Sequence, residues 1–216
     1  MYQLHPSAAL RQHFGDRPYQ GAAPWDAEFL FVGLDANYAP DIESSPVFAE
    51  VLRYHQDGAD FWQRHGVHHP FLLPAYRGDG RRYHRSFARL GFLPQDAAQV
   101  SFVELLHVPT VGRSKLVAAD LDIAHLRMID AAMRCGSARH VFVSAGVARL
   151  MRATQLFAWL PTQPIIGAAL RLLFADSQRQ IYQHLHLSNY GKFQAQLERE
   201  AEAVANMLRQ RRTRSA

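Results

Sequence analysis

Residues 28–38 read Glu-Phe-Leu-Phe-Val-Gly-Leu-Asp-Ala-Asn-Tyr, and the opening of that stretch decides the fold. Glu28 to Val32 is a short apolar run, rich in aromatic and β-branched side chains, that stops at a glycine; runs of this kind form strands buried on both faces. Three more follow, at Val100 to Leu106, His140 to Ser144 and Ile181 to Leu187. Helical patterns surround them at Pro46 to His55, Tyr83 to Leu90, Asp122 to Cys135, Val147 to Thr154 and Lys192 to Arg211. Strands alternating with helices predict an α/β protein, with three α/β/α layers around a four-stranded, mainly parallel sheet. No internal repeat or low-complexity linker divides residues 1–216, which read as one domain. A loop-rich insertion is expected at 56–82, where Gly58, Gly66, Pro70, Pro74, Gly78 and Gly80 fall. In such a sheet, ligands bind beyond the carboxyl ends of the strands, so functional residues should follow the four runs directly.

Composition excludes several classes. With 48% apolar and 20% charged residues in 216, the chain can bury a sizeable core and is neither disordered nor fibrous. The single cysteine, Cys135, cannot form an internal disulfide, and no Cys set exists for structural zinc or an iron–sulfur cluster, which points to a reducing, cytoplasmic setting. The start MYQLHPSAALRQHFG lacks the basic and apolar regions of a signal peptide. No segment reaches the roughly 18 apolar residues of a spanning helix, so a soluble protein without a membrane partner is expected. The net charge of +5 is concentrated at the end: without Arg209, Arg211, Arg212 and Arg214, the rest of the chain carries +1. That basic tail, at 209–216, reads as a solvated helix end or as a sequence-independent phosphate contact.

Two motifs occupy the expected places. After the first run come Gly33, Leu34, Asp35, Ala36, Asn37 and Tyr38, the glycine permitting a tight turn and the acid delivered to the ligand-binding edge. After the fourth come His186, Leu187, Ser188, Asn189 and Tyr190. Neither is a dinucleotide fingerprint or a P-loop, and no serine sits in a nucleophile elbow, which argues against dinucleotide, nucleotide-triphosphate and triad hydrolase chemistry. An Asp facing a His remains.

In order and placement, GLDANY and HLSNY resemble the two motifs of the uracil-DNA glycosylase superfamily, G-Q-D-P-Y-H after the first strand and H-P-S-P-L-S after the last. The resemblance spans residues 28–195 and takes in VFVSAG at 141–146, similar to the family's third strand ending in glycine. His5-Pro6-Ser7 spells the second motif more literally but precedes every expected strand and is set aside. The resemblance implies a uracil-DNA glycosylase-like fold and a monofunctional DNA repair enzyme. Such an enzyme hydrolyses the N-glycosidic bond of a deaminated or damaged base flipped out of DNA, with no metal or other cofactor. That cleavage builds positive charge on the sugar and negative charge on the departing base. By position, Asp35 would orient a water and stabilise the sugar cation, and His186 would donate to a base oxygen. Ser188 and the backbone at Gly146 would hold phosphates. Gly33, Leu34, Asn37, Tyr38, Glu104 and Tyr190 fall on the base-binding side.

Plain readings stand beside these. Asp35 also suits a turn cap, Ser188 suits the N-cap of the helix through Lys192, and His184 with His186 on one strand face suits structural hydrogen bonding. Tyr38 and Tyr190 suit stacking on a base or filling the rim. Two departures matter. Asn37 stands where the family's best-known branch has the tyrosine that screens out thymine. Glu104 stands where the family has a base-reading asparagine, and a carboxylate accepts without donating, so a base edge with two adjacent donors would fit it better than uracil.

His65, His68 and His69 bring three imidazoles together without a cysteine or carboxylate at metal-binding spacing. With Arg77, Arg81, Arg82, Tyr83, His84 and Arg85 they read as a polar, partly basic rim, suited to gripping a strand or simply to an ordinary loop. DNA is the expected partner and a monomer the expected state. The alternatives are a non-catalytic nucleic-acid-binding module of the same fold, or an N-glycosidase acting on free nucleosides or nucleotides.

Overall fold

The computed structural model describes residues 1–112, 115–165 and 169–214. Its strands are β1 (Gln3–Leu4), β2 (Tyr19–Gly21), β3 (Phe29–Gly33), β4 (Val100–Glu104), β5 (Thr110–Val111), β6 (His140–Ser144), β7 (Arg171–Ala175) and β8 (Gln180–His184). Its helices are α1 (Ala8–Asp16), α2 (Phe48–Gln56), α3 (Gly58–His65), α4 (Arg81–Ala88), α5 (Ile123–Cys135), α6 (Ala145–Ala153) and α7 (Gln194–Arg214). The main sheet runs β2-β4-β3-β6-β8-β7. The four strands expected from sequence are its parallel centre, in mutual contact. The sheet has six strands rather than four, because β2 and β7 add antiparallel edges. β2 is only three residues long and β7 is only half-buried, so neither produces the uninterrupted apolar signal of a central strand.

Alternation along β3 sorts the core into two chemistries. Leu30 and Val32 face α5 and α6 with Val141, Val143, Ile129 and Met151, an aliphatic layer. Phe29 and Phe31 face α4 and α7 with Phe102, Phe142, Phe87 and Leu208, an aromatic layer in which Phe31 stacks on Phe142 at 4.5 Å. A one-residue slip of β3 would exchange the layers, so its register is strongly specified.

From β3 the chain passes to β4 on one side, and from β6 it passes to β8 on the other, so β3 and β6 flank the point where the strand order reverses. Connections that diverge there open a crevice at the strand ends.

Three expectations are corrected. Residues 58–65 are helical, not loop: Asp57 caps the start, accepting from the Asp60 N–H at 2.9 Å, and Gly66 closes the end at φ 69°. Of the glycines that suggested a loop, Gly58 starts this helix and Gly66 ends it. Gly33 makes no left-handed turn; it ends β3, and its missing Cβ is what the neighbouring strand uses. The basic tail is a helix end that is only partly solvated: Arg209 stays exposed beside Glu202, but Arg211 and Arg212 do not. Arg211 pairs with Glu28 at 2.9 Å and Arg212 with the buried Asp96 at 2.6 Å, which anchors α7 near the amino ends of β3 and β4, opposite the crevice. Residues 215 and 216 and the side chain of Arg214 lie outside the described residues.

Candidate active site

The crevice is a cavity of about 1230 Å³, built by the ends of β3, β4, β6 and β8. Gly33, Leu34, Asp35, Asn37, Tyr38, Glu104, Gly146, His186 and Ser188 all line it, so residues from distant parts of the chain meet there.

The loop after β3 is held by a bridge to β5. Asn37 pairs with Thr110, whose N–H donates to Ala36 O at 2.9 Å and whose carbonyl accepts from Tyr38 N–H at 3.0 Å. The fully buried Thr110 hydroxyl donates to Asp35 Oδ2 at 2.7 Å, while Asn37 Nδ2 donates to Thr110 Oγ1 at 3.2 Å and to the Gly112 carbonyl. Asp35 is therefore an acceptor oriented by the Thr110 hydroxyl. His5 supports the same loop. Its Nε2–H donates to Ala39 O at 2.9 Å, and its Nδ1 accepts from Ser7 N–H at 3.0 Å. The His5-Pro6-Ser7 segment does follow a strand, β1, but one that pairs only with β5 outside the main sheet. It positions the motif loop and stays out of the cavity lining.

His186 repeats that local geometry. Strand β8 stops at His184, so His186 belongs to the following loop and shares no strand face with it. Ser188 N–H donates to His186 Nδ1 at 3.3 Å, which places the proton of a neutral ring on Nε2. Solvent reaches His186 at the cavity mouth, yet surrounding protein lowers its pKa, with Asp35 pulling the other way, and the ring stays neutral at pH 7. Ser188 caps no helix, since Tyr190 precedes the turn Gly191–Phe193 that leads into α7. The buried Glu200 of α7 accepts from Leu185 N–H at 2.8 Å and so anchors the histidine loop; no sequence motif marks it.

Glu104 closes the inner end. It pairs in register with Gly33, and its carboxyl lies so close over that residue that a Cβ there would fall 1.9 Å from Oε2. Burial, then the charge of Asp35, push its pKa up to about 8. Desolvation, which composition cannot show, thus favours the neutral carboxyl of Glu104 near pH 7, a group that can donate as well as accept.

The imidazoles at 65–69 make neither rim nor metal site. His65 turns to Glu50 at 3.3 Å, whereas His68 and His69 are buried against His84, which stacks on His69 at 3.6 Å. Burial lowers the pKa of all three, most simply for His84, to about 3. They line the cavity as neutral rings beside Tyr54, Phe71, Tyr83 and Phe102. Among the described residues no group of three or more His, Cys, Asp or Glu could hold a metal ion.

Other rim assignments shift. Tyr38 is core: it is buried with its hydroxyl on His55 Nε2 at 2.8 Å, and only part of it reaches the cavity. Tyr190, 68% exposed, lies outside the lining beneath the Arg82 guanidinium, 4.1 Å from the ring centre. Arg81 donates to the Tyr76 carbonyl at 3.1 Å, and neither it nor Arg82 lines the cavity. Arg77 likewise turns to the carbonyls of Pro74 and Tyr76. Among the described residues the cations that do line it are Lys115 and Arg149, which no motif marks. Gly146 lies in the first turn of α6, capped by Ser144 Oγ accepting from Val147 N–H at 3.4 Å.

No family model matches this chain, and no curated protein matches it at a significant level. Among the described residues no helix is long and apolar enough to cross a membrane.

Proposed function

We propose that the protein is a monofunctional DNA glycosylase with a uracil-DNA glycosylase-like fold. It would hydrolyse the N-glycosidic bond of a deaminated or damaged base extruded from DNA. The observation that carries this reading is the convergence of Asp35, Glu104 and His186, from the ends of three parallel strands, on one cavity walled by aromatic rings. Flat aromatic walls suit a base, and the volume exceeds the roughly 300–1,000 Å³ of ordinary small-molecule pockets, leaving room for sugar and flanking backbone.

In this mechanism the C1′–N bond breaks with its electron pair leaving on the base. Asp35, oriented by Thr110, stabilises the cationic sugar and accepts a proton from the attacking water. His186 donates Nε2–H to an oxygen of the departing base; a neutral donor at that place stabilises developing negative charge without first being deprotonated. Lys115, Arg149, Ser188 and the start of α6 provide phosphate contacts.

The test is incubation with single- and double-stranded oligonucleotides carrying uracil, hypoxanthine or oxidised guanine, followed by alkaline cleavage of abasic sites. Scission by the wild type that disappears in Asp35→Asn supports the reading. Binding without scission replaces it with a non-catalytic module, and action on free nucleosides alone replaces it with a nucleosidase.

A further inference from the structure

Asp35 and Glu104 present two carboxyl groups to one cavity from adjacent strands, and they repel. Asp35 already accepts the Thr110 hydroxyl on Oδ2. Among the described residues the Glu104 side chain has no hydrogen-bond or ion-pair partner, so the proton that such a pair retains belongs on Glu104. A neutral carboxyl offers one acceptor and one O–H donor side by side, the same pair that an amide offers. Deaminated bases share a matching edge, a ring N–H next to a carbonyl.

We propose that protonated Glu104 holds this lactam edge by two hydrogen bonds, making the cavity selective for deaminated bases, and that loss of its proton turns preference toward an edge with two adjacent N–H donors.

The surroundings favour the neutral form. Tyr38 and the Tyr54 of α2 face Glu104 with pKa values raised chiefly by burial, as does Tyr83 of α4, and all are uncharged. His68 and His69 are buried, His84 is half-buried, and all three are neutral, while His184 at the end of β8 is pushed down to about 4. His125 of α5 bonds only the Glu104 backbone carbonyl, at 2.7 Å. Lys115 and Arg149 line the same cavity, but Glu104 takes its shift from burial and Asp35. With the Glu104 pKa pushed up to about 8, the switch falls just above neutrality.

The proposal rests on the base-binding part of the glycosylase reading and not on cleavage, so its test omits cleavage. Fluorescence anisotropy would measure binding of single-stranded oligonucleotides carrying one 2′-fluoro-deoxyuridine, 2′-fluoro-deoxyinosine or 2′-fluoro-deoxyguanosine, sugars that resist hydrolysis. From about pH 6.5 to about pH 8.5 the neutral fraction of Glu104 falls about fourfold, and wild-type affinity for uracil and hypoxanthine should fall with it. Glu104→Gln, a permanent amide, should bind both with no such fall beyond that from ionisation of the base, and only the wild type should gain affinity for guanine. Glu104→Ala supplies the same comparison of slopes should the amide disturb folding. Equal pH slopes in wild type and both variants, or no lactam binding by folded wild type, overturns the proposal. Scission with equal slopes would leave the glycosylase reading standing alone; pH-switched binding without scission would leave this one.

Discussion

Replacing Glu104 by Gln should stabilise the protein, although the residue lies in the proposed site. Its carboxyl titrates at about 8 when folded, against an ordinary value of 4.5. Between those values the unfolded chain has lost the proton that the folded chain keeps. The folded state binds more protons at this group, so the Glu104 contribution to stability is greatest below about pH 4.5, falls as pH rises, and levels off above about 8. At pH 7 the difference spans about 2.5 pH units, worth about 3 kcal/mol at roughly 1.4 kcal/mol per unit. Gln has nearly the same shape and no charge to desolvate, so it escapes this cost. Urea unfolding of both proteins at about pH 5, 7 and 8.5 should give nearly equal midpoints at the lowest pH and a widening advantage for the variant above it, with unchanged m values. A gain of about 3 kcal/mol corresponds to a melting temperature higher by about 6–12 °C in a chain of this size. Parallel pH profiles, or a variant less stable at pH 7, would show that Glu104 is ionised in the fold.

Three other outcomes are expected. Gly33→Ala puts a Cβ 1.9 Å from Glu104 Oε2 and 2.5 Å from its Cδ; because the neighbour is a movable side chain, unfolding free energy should change by less than about 1 kcal/mol. Lesion cleavage should nevertheless drop by about 10²-fold as the carboxyl shifts, and an active Gly33→Ala enzyme would refute the cradle. Thr110→Val removes the hydroxyl that orients Asp35 and receives Asn37, so the cleavage rate should fall about tenfold or more with a smaller change in KM, restored by Thr110→Ser; equal loss in both would mean mere packing. Buried His55 and half-buried His84, each lowered to about 3, together with His68 and His69, refuse protons that the unfolded chain accepts. Stability should fall as pH drops from about 6.5 toward 3, by a few kcal/mol already near pH 5.5, and circular dichroism showing a fully native fold at pH 4 would contradict this.

The candidate site shows where sequence reading stops. Asp35 and His186 could be found because both follow apolar runs, and strand ends are where a parallel sheet places its ligands. Thr110, Glu200 and His5 could not, since each acts through a bond to a residue more than ten positions away. His68 and His69 looked like rim residues because a polar composition favours the surface. Their burial follows from stacking with His84 and Phe71, rings brought together only by folding.

By itself the sequence determined the four central strands, their alternation with helices and the end of the sheet that carries the motifs. These are local matters of apolar run length and side-chain period, readable within a few residues. Tertiary structure alone decided the two edge strands, the helix at 58–65, the pairing of Arg211 and Arg212 with Glu28 and Asp96, and the proton on Glu104. The edges and pairings depend on which distant segments meet, and the charge of a carboxyl depends on how much water and how many neighbouring charges that meeting leaves around it.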